Sequence, residues 1–194
     1  ESGETRTLYY PGANQRLSSF DAEEALSSLP DGLLMQLEAS ESVITDACSV
    51  ADDKGIPIFL DGGPARPGFP FYRLPTLEVF SPDDRETLAY TGILPDTLDK
   101  CLKAAVRLAT VVKAHYYVLK LGTRGAFVYD GKYCQIIPAE SIEVVDRRGA
   151  GDAFTAALTL EYLRSGDIVK AAKYANVVGA MTTLKEGLCA AVPT

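Results

Sequence analysis

Short apolar runs recur along the chain, and most of them have the composition of β-strands. They are rich in β-branched and aromatic residues and are bounded by glycine, proline or other turn-forming residues. Several are apolar almost without interruption, which is typical of strands in a parallel sheet that is covered on both faces. The pattern predicts strands at residues 5–10, 32–37, 56–60, 77–80, 116–121 and 142–145, and a hairpin of residues 126–129 and 133–137.

Between these runs, apolar residues recur at the three- and four-residue spacing of an amphipathic helix. Val43, Ile44, Ala47 and Val50 are an example, and Gly55 ends that helix. Strands that alternate with helices predict an α/β fold, here a three-layer α/β/α sandwich around a mostly parallel sheet, with residues 1–194 as a single domain. The predicted helices are residues 20–28, 42–54, 83–89, 97–114, 151–164 and 168–185.

The composition is that of an ordinary globular protein, and it narrows the classes of partner. Of 194 residues, 47% are hydrophobic and 23% are charged, and the formal net charge is −7. No apolar run approaches the roughly 18 residues that a membrane-spanning helix needs, and the polar start does not resemble a signal peptide. Because the chain is acidic and has no clustered lysine and arginine stripe, we expect neither nucleic acid nor a membrane as partner.

Cysteine and histidine form no recognisable metal-binding pattern. Cys48, Cys101, Cys134 and Cys189 are scattered without a Cys-x-x-Cys pair, which argues against zinc and against a disulfide framework and favours a cytoplasmic location. The single histidine, His115, precedes a predicted strand and has the pattern of a strand-edge residue. If the protein is an enzyme, its general base is therefore expected to be a carboxylate.

Polar residues and a glycine follow the predicted strands directly. Because ligands of parallel α/β folds bind at the carboxyl ends of the strands, we expect these residues to line one edge of the sheet. They are Glu38, Asp61, Asp83, Gly122 and Asp146.

The turn Gly149-Ala150-Gly151 leads from a predicted strand into a predicted helix. The first N–H groups of a helix have no intrahelical partner, so such a turn suits an anion. Asp152 lies in the first helical turn, where a carboxylate beside an anionic ligand makes sense as a proton acceptor. A dinucleotide fingerprint would need Gly or Ala in place of Phe154, and the chain contains no P-loop pattern.

Residues 146–154 read Asp-x-x-Gly-Ala-Gly-Asp-x-Phe, which resembles the C-terminal signature of the ribokinase-like (PfkB) carbohydrate kinases. Residues 34–38 are similar to the family's sugar-contacting strand, residues 82–86 to its Asn-x-x-Glu motif, and residues 121–125 to its nucleotide loop. Asn176 falls where the family has an adenine-side contact. The resemblance extends over essentially the whole chain, is closest to the ribokinases, and implies the C-terminal part of a ribokinase-like fold.

The resemblance implies an ATP-dependent sugar kinase that transfers the γ-phosphoryl group to a sugar hydroxyl, most simply converting ribose to ribose 5-phosphate with release of ADP. Asp152 would be the general base and would contact the substrate, and residues 149–151 would form the anion hole. Glu38 would contact the sugar, and Glu86 would hold Mg²⁺ through water. The nucleotide-binding residues that the resemblance implies are Asp83, Lys120, Leu121, Gly122, Thr123, Arg124, Gly125, Gly151 and Asn176.

The resemblance also implies a monovalent-cation site, with potassium as the ion. In this chain the aspartate of that site corresponds to Asp146, while Ala191 replaces a serine ligand, which puts potassium activation in question. Backbone carbonyl ligands would come from Arg148, Thr182, Lys185 and Gly187.

The chain departs from the family pattern at several further points. Arg147 and Arg148 stand where small residues are common, and Asp83 replaces the family's Asn and adds a negative charge beside the nucleotide. Nothing corresponds to the N-terminal portion that carries the Gly-Gly substrate motif and most sugar contacts, and residues 1–10 resemble a remnant strand of the lid. We therefore expect a portion of a kinase, with an uncovered sheet edge that favours association into a homodimer.

Several alternatives stay open at this point. The chain could be a non-catalytic nucleotide-binding module, or a kinase for fructose, a nucleoside or a sugar phosphate. The site residues also have structural interpretations: Glu38 as a solvated strand-end acid, Glu86 as an acid at a helix start, Gly122 and Gly125 as hairpin glycines, and Asn176 as a solvent-facing polar residue.

Overall fold

The computed structural model describes residues 10–187 and 189–193 and contains one six-stranded sheet. Its strands are β1 (Leu33–Met35), β2 (Ile58–Asp61), β3 (Leu77–Ser81), β4 (Ala114–Lys120), β5 (Ala126–Tyr129) and β6 (Cys134–Ile137). They follow one another across the sheet in chain order. β1 to β4 pair in parallel, whereas β5 and β6 form an antiparallel hairpin beside β4. The carboxyl ends of β1 to β4 therefore meet at one edge of the sheet.

Six α-helices connect and cover these strands in the described residues. They are α1 (Ser19–Ser27), α2 (Glu41–Asp53), α3 (Asp84–Thr91), α4 (Leu98–Leu108), α5 (Ala150–Ser165) and α6 (Ile168–Thr182). Short 3₁₀ helices occur at Gly12–Arg16, Phe71–Arg73, Gly122–Arg124 and Cys189–Ala191. Each of these α-helices except α5 is preceded by an N-cap residue whose side chain accepts a hydrogen bond from a backbone N–H group of the first turn. The N-cap residues are Ser18, Ser40, Asp83, Thr97 and Asp167.

Two hydrophobic cores lie on opposite faces of the sheet. On one face, Ile44 of α2 and Leu108 of α4 belong to the same buried cluster as Leu60 of β2. On the other face, Leu158 of α5 is buried in a cluster with Val118 of β4. Each such side chain contributes on the order of 1.5–3 kcal/mol through removal from water. Burial on both faces explains the nearly continuous apolar strands and confirms the predicted three-layer α/β/α sandwich.

The predicted strand at residues 142–145 is wrong. The backbone N–H groups of Val145 and Asp146 both donate to the carbonyl of Thr183, at 2.9 and 3.1 Å. This segment is thus attached to the end of α6 and not to the sheet. Its apolar residues resemble a strand in sequence, but no neighbouring strand supplies a hydrogen-bond ladder.

Two predicted helices are too long at their C-termini. The helix predicted to reach residue 114 ends at Leu108, where the N–H groups of Val111 and Val112 turn back onto the Leu108 carbonyl, and Ala114 already belongs to β4. The helix predicted to reach residue 185 ends at Thr182. The other predicted helices and strands of the described residues are present, with bounds shifted by a few residues.

The predicted strand at residues 5–10 lies, apart from Tyr10, outside the described residues. Within the part of the chain that the structure describes, no helix is long and apolar enough to cross a membrane.

Candidate active site

An open cavity of about 930 Å³ lies at the carboxyl edge of the parallel strands. Of the strand-end residues predicted to share that edge, Glu38, Asp61, Asp83 and Gly122 line it. Asp146 does not, although its neighbour in sequence Arg147 does. The other predicted site residues on its wall are Glu86, Lys120, Leu121, Thr123, Arg124, Gly125, Ala150, Gly151, Asp152 and Asn176.

The N-terminus of α5 opens onto this cavity. It begins after Gly149, which has a left-handed backbone (φ 78°) and provides no side-chain cap. The N–H of Ala150 makes a long bond to the Arg147 carbonyl, at 3.4 Å. Gly151 and Asp152 follow in the first turn, and both are exposed on the cavity wall. Because first-turn N–H groups lack intrahelical partners and carry the positive end of the helix dipole, this end of α5 can receive an anion.

Gly151 also leaves room for that anion. A Cβ added at this position would meet nothing within 4 Å. Asp152 is the next residue of the same turn, so a carboxylate stands beside the open N–H groups. This pairs a proton acceptor with anion-binding donors, as a phosphoryl transfer to a hydroxyl group requires.

The N-terminus of α3 faces the same cavity but is closed by its own side chains. The Asp83 carboxylate accepts the Glu86 N–H at 2.7 Å, and the Glu86 carboxylate accepts the Asp83 N–H at 2.7 Å. This reciprocal capping box supports the structural interpretation of Glu86 as a helix-start acid, and it also holds the Glu86 carboxylate on the cavity wall.

Burial raises the pKa of Glu86 from 4.5 to about 7, and the nearby positive charge of Lys120 opposes that rise only in part. The backbone crowds this carboxylate, because a Cβ added at Gly63 would lie 2.3 Å from its Oε1 atom. A neutral carboxyl group that is buried beside an open cavity can lose its proton when a cation binds there, because the cation stabilises the carboxylate.

Lys120 and Asp61 form an ion pair inside the cavity. Lys120 Nζ lies 2.5 Å from Asp61 Oδ2, and their side chains are 11% and 13% exposed. Thr155 of α5 donates its hydroxyl to the same oxygen at 2.5 Å. The strand pattern predicts Asp61 at this edge but gives it no role, and no sequence pattern predicts Thr155. The two are 94 positions apart in the chain, so no local signal could have paired them.

The predicted nucleotide loop forms a single tight turn after β4. Gly125 has φ 92°, and a Cβ there would lie 2.0 Å from the Ile137 carbonyl oxygen, so packing alone requires a glycine. Gly122 has φ 59° and faces open space. Arg124 Nη1 donates to the Pro95 carbonyl at 2.8 Å. The hairpin interpretation of these glycines therefore holds, and it is compatible with a role on the cavity wall.

Asn176 is buried, which rules out the solvent-facing interpretation. Its Nδ2 group donates to the carbonyls of Ile137 and Pro138, at 3.0 and 3.1 Å. The side chain thus ties α6 to the end of β6 at one wall of the cavity. Elsewhere on that wall, Glu38 Oε2 accepts a hydrogen bond from Asn14 at 3.2 Å.

The residues of the implied potassium site are only partly brought together. The Asp146 carboxylate accepts the Gly187 N–H at 3.4 Å, but it is also bound by the guanidinium of Arg148, with the closest contact at 2.8 Å. The Arg148 guanidinium lowers the pKa of Asp146 well below its usual range. Thr182 is buried and donates its hydroxyl to the Val178 carbonyl, while Lys185 lies in the exposed turn that follows.

The carboxylates of the cavity fit a hydrated Mg²⁺ better than a fully protein-coordinated metal. No cluster of three or more His, Cys, Asp or Glu side chains suited to a metal occurs in the described ranges. Asp83, Asp84 and Glu86 nevertheless bring carboxylates to one side of the cavity. Mg²⁺ typically keeps several waters and uses one or two carboxylates together with phosphate oxygens, so this donor set suits that ion.

Comparison with known proteins relates this chain to sugar kinases over its full length. It is 28% identical over 189 residues to the deoxyribokinase of Salmonella typhi, which covers 96% of this chain and 61% of that protein. It is 26% identical over 199 residues to the ribokinase of Haemophilus influenzae, which covers 100% of this chain and 63% of that protein. The chain thus spans less than two thirds of the length of these relatives.

The fold is also that of solved ribokinases. The ribokinase of Arabidopsis thaliana, solved with ribose and ATP, superimposes with a TM-score of 0.87 over 99% of this chain and 63% of that protein, at 23% sequence identity. The model of the pfkB family carbohydrate kinases matches residues 1–194. The chain therefore belongs to the pfkB family of carbohydrate kinases.

Proposed function

We propose that the protein carrying this chain is an ATP-dependent sugar kinase, which transfers the γ-phosphoryl group of ATP to a hydroxyl of ribose and releases ADP. The observation that carries the proposal is the N-terminus of α5, which has no side-chain cap and presents Gly151 and Asp152 to the cavity. Membership of the pfkB family supports the reaction class.

Asp152 acts as the general base in this mechanism. Its carboxylate takes the proton from the sugar hydroxyl as that oxygen attacks the γ-phosphorus, and the bond to the bridging oxygen of ADP breaks. An exposed carboxylate on the cavity wall is accessible to such a hydroxyl. The residue needs no histidine partner, which accords with a chain whose single histidine, His115, is not on the cavity wall.

The backbone of the Gly149–Gly151 turn stabilises the transferring phosphoryl group. In this proposal its first-turn N–H groups donate to the equatorial oxygens, over which negative charge is spread in the transition state. The ammonium of Lys120 adds a positive charge on the same wall. The rest of the nucleotide-binding wall is formed by Asp83, residues 121–125 and Asn176.

Bound Mg²⁺ would neutralise charge on the phosphates, and Glu86 would hold it through water. A cation beside Glu86 would favour the charged form of its carboxyl group and so lower the pKa that burial raises. Potassium stays a prediction. At Asp146 the ion would compete with the guanidinium of Arg148.

Ribose is the proposed acceptor because relatives over the full chain are named ribokinase and deoxyribokinase. Glu38, which lines the cavity after β1, is the proposed contact to the sugar within this chain. A cytoplasmic location and a homodimer remain expectations that accompany this proposal.

The test is ADP release by the full-length protein with ATP and Mg²⁺ over a panel of ribose, deoxyribose, fructose, a nucleoside and a sugar phosphate. We expect the highest kcat/KM with ribose. Asp152→Asn should lower kcat by about 10²–10⁴-fold, as loss of a general base typically does. Asp99→Asn is the matched control, since Asp99 pairs with Lys103 on the exposed face of α4.

Turnover that is equal in Asp152→Asn and the wild-type protein would remove Asp152 as the base. Absence of turnover on every sugar, combined with ATP binding in calorimetry, would favour the non-catalytic nucleotide-binding module instead.

A further inference from the structure

Asp61 joins three separate elements of the cavity wall through one carboxylate. Its Oδ2 atom binds Lys120 Nζ of β4 and Thr155 Oγ1 of α5, each at 2.5 Å. Its Oδ1 atom accepts the Gly63 N–H at 3.0 Å. β3 lies between β2 and β4 in the sheet, so the ion pair between Asp61 and Lys120 spans a whole strand.

This network is buried and charge-assisted. The side chains of Lys120 and Asp61 are 11% and 13% exposed, and Thr155 is 4% exposed. Hydrogen bonds to an ionised group are shorter and stronger than those between neutral groups. Loss of one partner inside a protein leaves the remaining buried groups without a hydrogen bond, which costs free energy. The network therefore holds its members in one geometry.

Thr155 connects the network to the first turn of α5. It follows Asp152 by three residues and so lies one helical turn away on the same side of the helix. Its hydroxyl oxygen is also 3.1 Å from the Gly151 carbonyl. A hydroxyl group has one proton, and the much shorter contact assigns that proton mainly to Asp61.

We propose that Asp61 is a positioning residue for the phosphoryl transfer, which holds the first turn of α5 through Thr155 and the ammonium of Lys120 beside that turn. The inference rests on the proposed kinase function for its kinetic consequence. Among the α-helices of the described residues, α5 is the one that lacks a side-chain cap. The bond from Thr155 to Asp61 attaches α5 to the sheet and leaves the first N–H groups of the helix open.

Positioning of this kind matters because a misplacement of about 1 Å can lower a rate by about 10²-fold. The base Asp152 and the N–H donors sit on one turn, so a single anchor sets the positions of both relative to the sheet. Lys120 and Thr155 share the anchor oxygen, and their positive charge and hydroxyl lie 3.4 Å apart.

The test removes the hydroxyl without touching the charged pair. Thr155→Val in the full-length protein keeps the shape of the side chain but breaks the bond to Asp61, and Thr155→Ser restores the hydroxyl. Thr159→Val is the matched control, since Thr159 is 5% exposed on the same helix and donates its hydroxyl only within the helix, to the Thr155 carbonyl at 2.9 Å.

We expect Thr155→Val to lower kcat by about tenfold or more while KM for ATP changes by less than about threefold, because positioning is lost and ground-state binding is not. Thr155→Ser should recover kcat to within about threefold of the wild-type value. Thr159→Val should keep kcat within about twofold. Equal losses in Thr155→Val and Thr159→Val, or a loss confined to KM, would overturn the inference.

A second measurement does not depend on kinase activity. Amide hydrogen exchange at Ala153 and Phe154 should accelerate by about tenfold in Thr155→Val and not in Thr159→Val, because the first turn opens more often without its anchor. Unchanged exchange in Thr155→Val would also overturn the inference. If the wild-type protein phosphorylates no sugar, the proposed function fails, and the exchange data alone decide whether Asp61 anchors α5.

Discussion

The N-termini of α3 and α5 open onto the same cavity, yet they satisfy their backbone N–H groups in opposite ways. At α3, Asp83 and Glu86 cap each other's backbone, each at 2.7 Å. At α5, a left-handed Gly149 begins the helix and no side chain caps it. Both ends carry the same helix dipole and both have a carboxylate in the first turn, so they differ mainly in what occupies the N–H groups.

This difference separates a helix end that is closed by its own side chains from one that can receive an anion. A capped end has its donors engaged by its own side chains and offers carboxylates to the cavity, which suits a hydrated cation. An uncapped end offers donors to the cavity, which suits a phosphoryl group. The two ends face one ligand space, where a metal–nucleotide complex would present both kinds of charge.

Of the variants that test this difference between α3 and α5, we expect the largest loss of activity from one that fills the space at the N-terminus of α5. Gly151→Ala places a methyl group where the phosphoryl group is proposed to bind, although nothing in the protein lies within 4 Å of that methyl. Steady-state kinetics should show kcat/KM for ATP reduced by about 10²-fold, as after loss of an oxyanion-hole donor. Stability to denaturant should be unchanged or higher by up to about 1 kcal/mol, since Ala favours a helix over Gly.

Gly125→Ala is the contrasting variant. A methyl group there would lie 2.0 Å from the Ile137 carbonyl oxygen on a backbone with φ 92°. Denaturant unfolding should therefore show a loss of about 3 kcal/mol or more. A Gly151→Ala protein with full turnover, or one as destabilised as Gly125→Ala, would contradict an open anion site at α5.

The capped N-terminus of α3 should make the stability of the protein depend on pH. The pKa of Glu86 is raised from 4.5 to about 7 by burial, so its neutral form is favoured in the folded protein. Its contribution to stability is present below pH 4.5 and is lost as pH rises through 7. Glu86→Gln cannot ionise, and its amide oxygen can still accept the Asp83 N–H.

Denaturant unfolding in the absence of nucleotide should show Glu86→Gln similar to the wild-type protein near pH 5 and more stable by on the order of 1–3 kcal/mol near pH 8. The exposed Glu23→Gln variant controls for the loss of a surface carboxylate. A difference between Glu86→Gln and the wild-type protein that is the same at both pH values would show that Glu86 does not titrate in this range.

Much of this architecture follows from the local pattern of the chain. Nearly continuous apolar strands and amphipathic helices predict the sandwich, and the motif at residues 146–154 predicts the α5 turn. The apolar residues 142–145 mislead because strand composition does not show whether a pairing partner exists, and Val145 binds the end of α6 instead. The helix predicted to reach residue 114 misleads because the apolar residues after Leu108 continue into β4.

Local sequence patterns do not predict contacts between residues that are far apart in the chain. Asp61 was expected at the sheet edge, but its bonds to Lys120 and Thr155 join positions 59 and 94 residues away. Arg148 and Asp146 are only two residues apart, but the sequence pattern does not show which of the two adjacent arginines binds the Asp146 carboxylate and which lines the cavity. The bonds of Asp61 depend on how β2, β4 and α5 are brought together.

The smallest expected effect concerns the turn before α5. Arg148 occupies the Asp146 carboxylate that the potassium prediction assigns to the ion. Arg148→Ala should lower the KCl concentration that gives half-maximal activation by several-fold, with choline chloride as the ionic-strength control. Activation that is identical in Arg148→Ala and the wild-type protein would separate Asp146 from any potassium effect.

The most direct test of the contrast between α3 and α5 is a crystal structure of the full-length protein with ribose, ADP, Mg²⁺ and aluminium fluoride as a mimic of the transferring phosphoryl group. We expect the fluoride group within about 3 Å of the first-turn N–H groups of α5, with Asp152 beside the sugar hydroxyl and the metal on the side of Glu86. A fluoride group seated away from α5, with Asp152 remote from the sugar, would contradict this expectation.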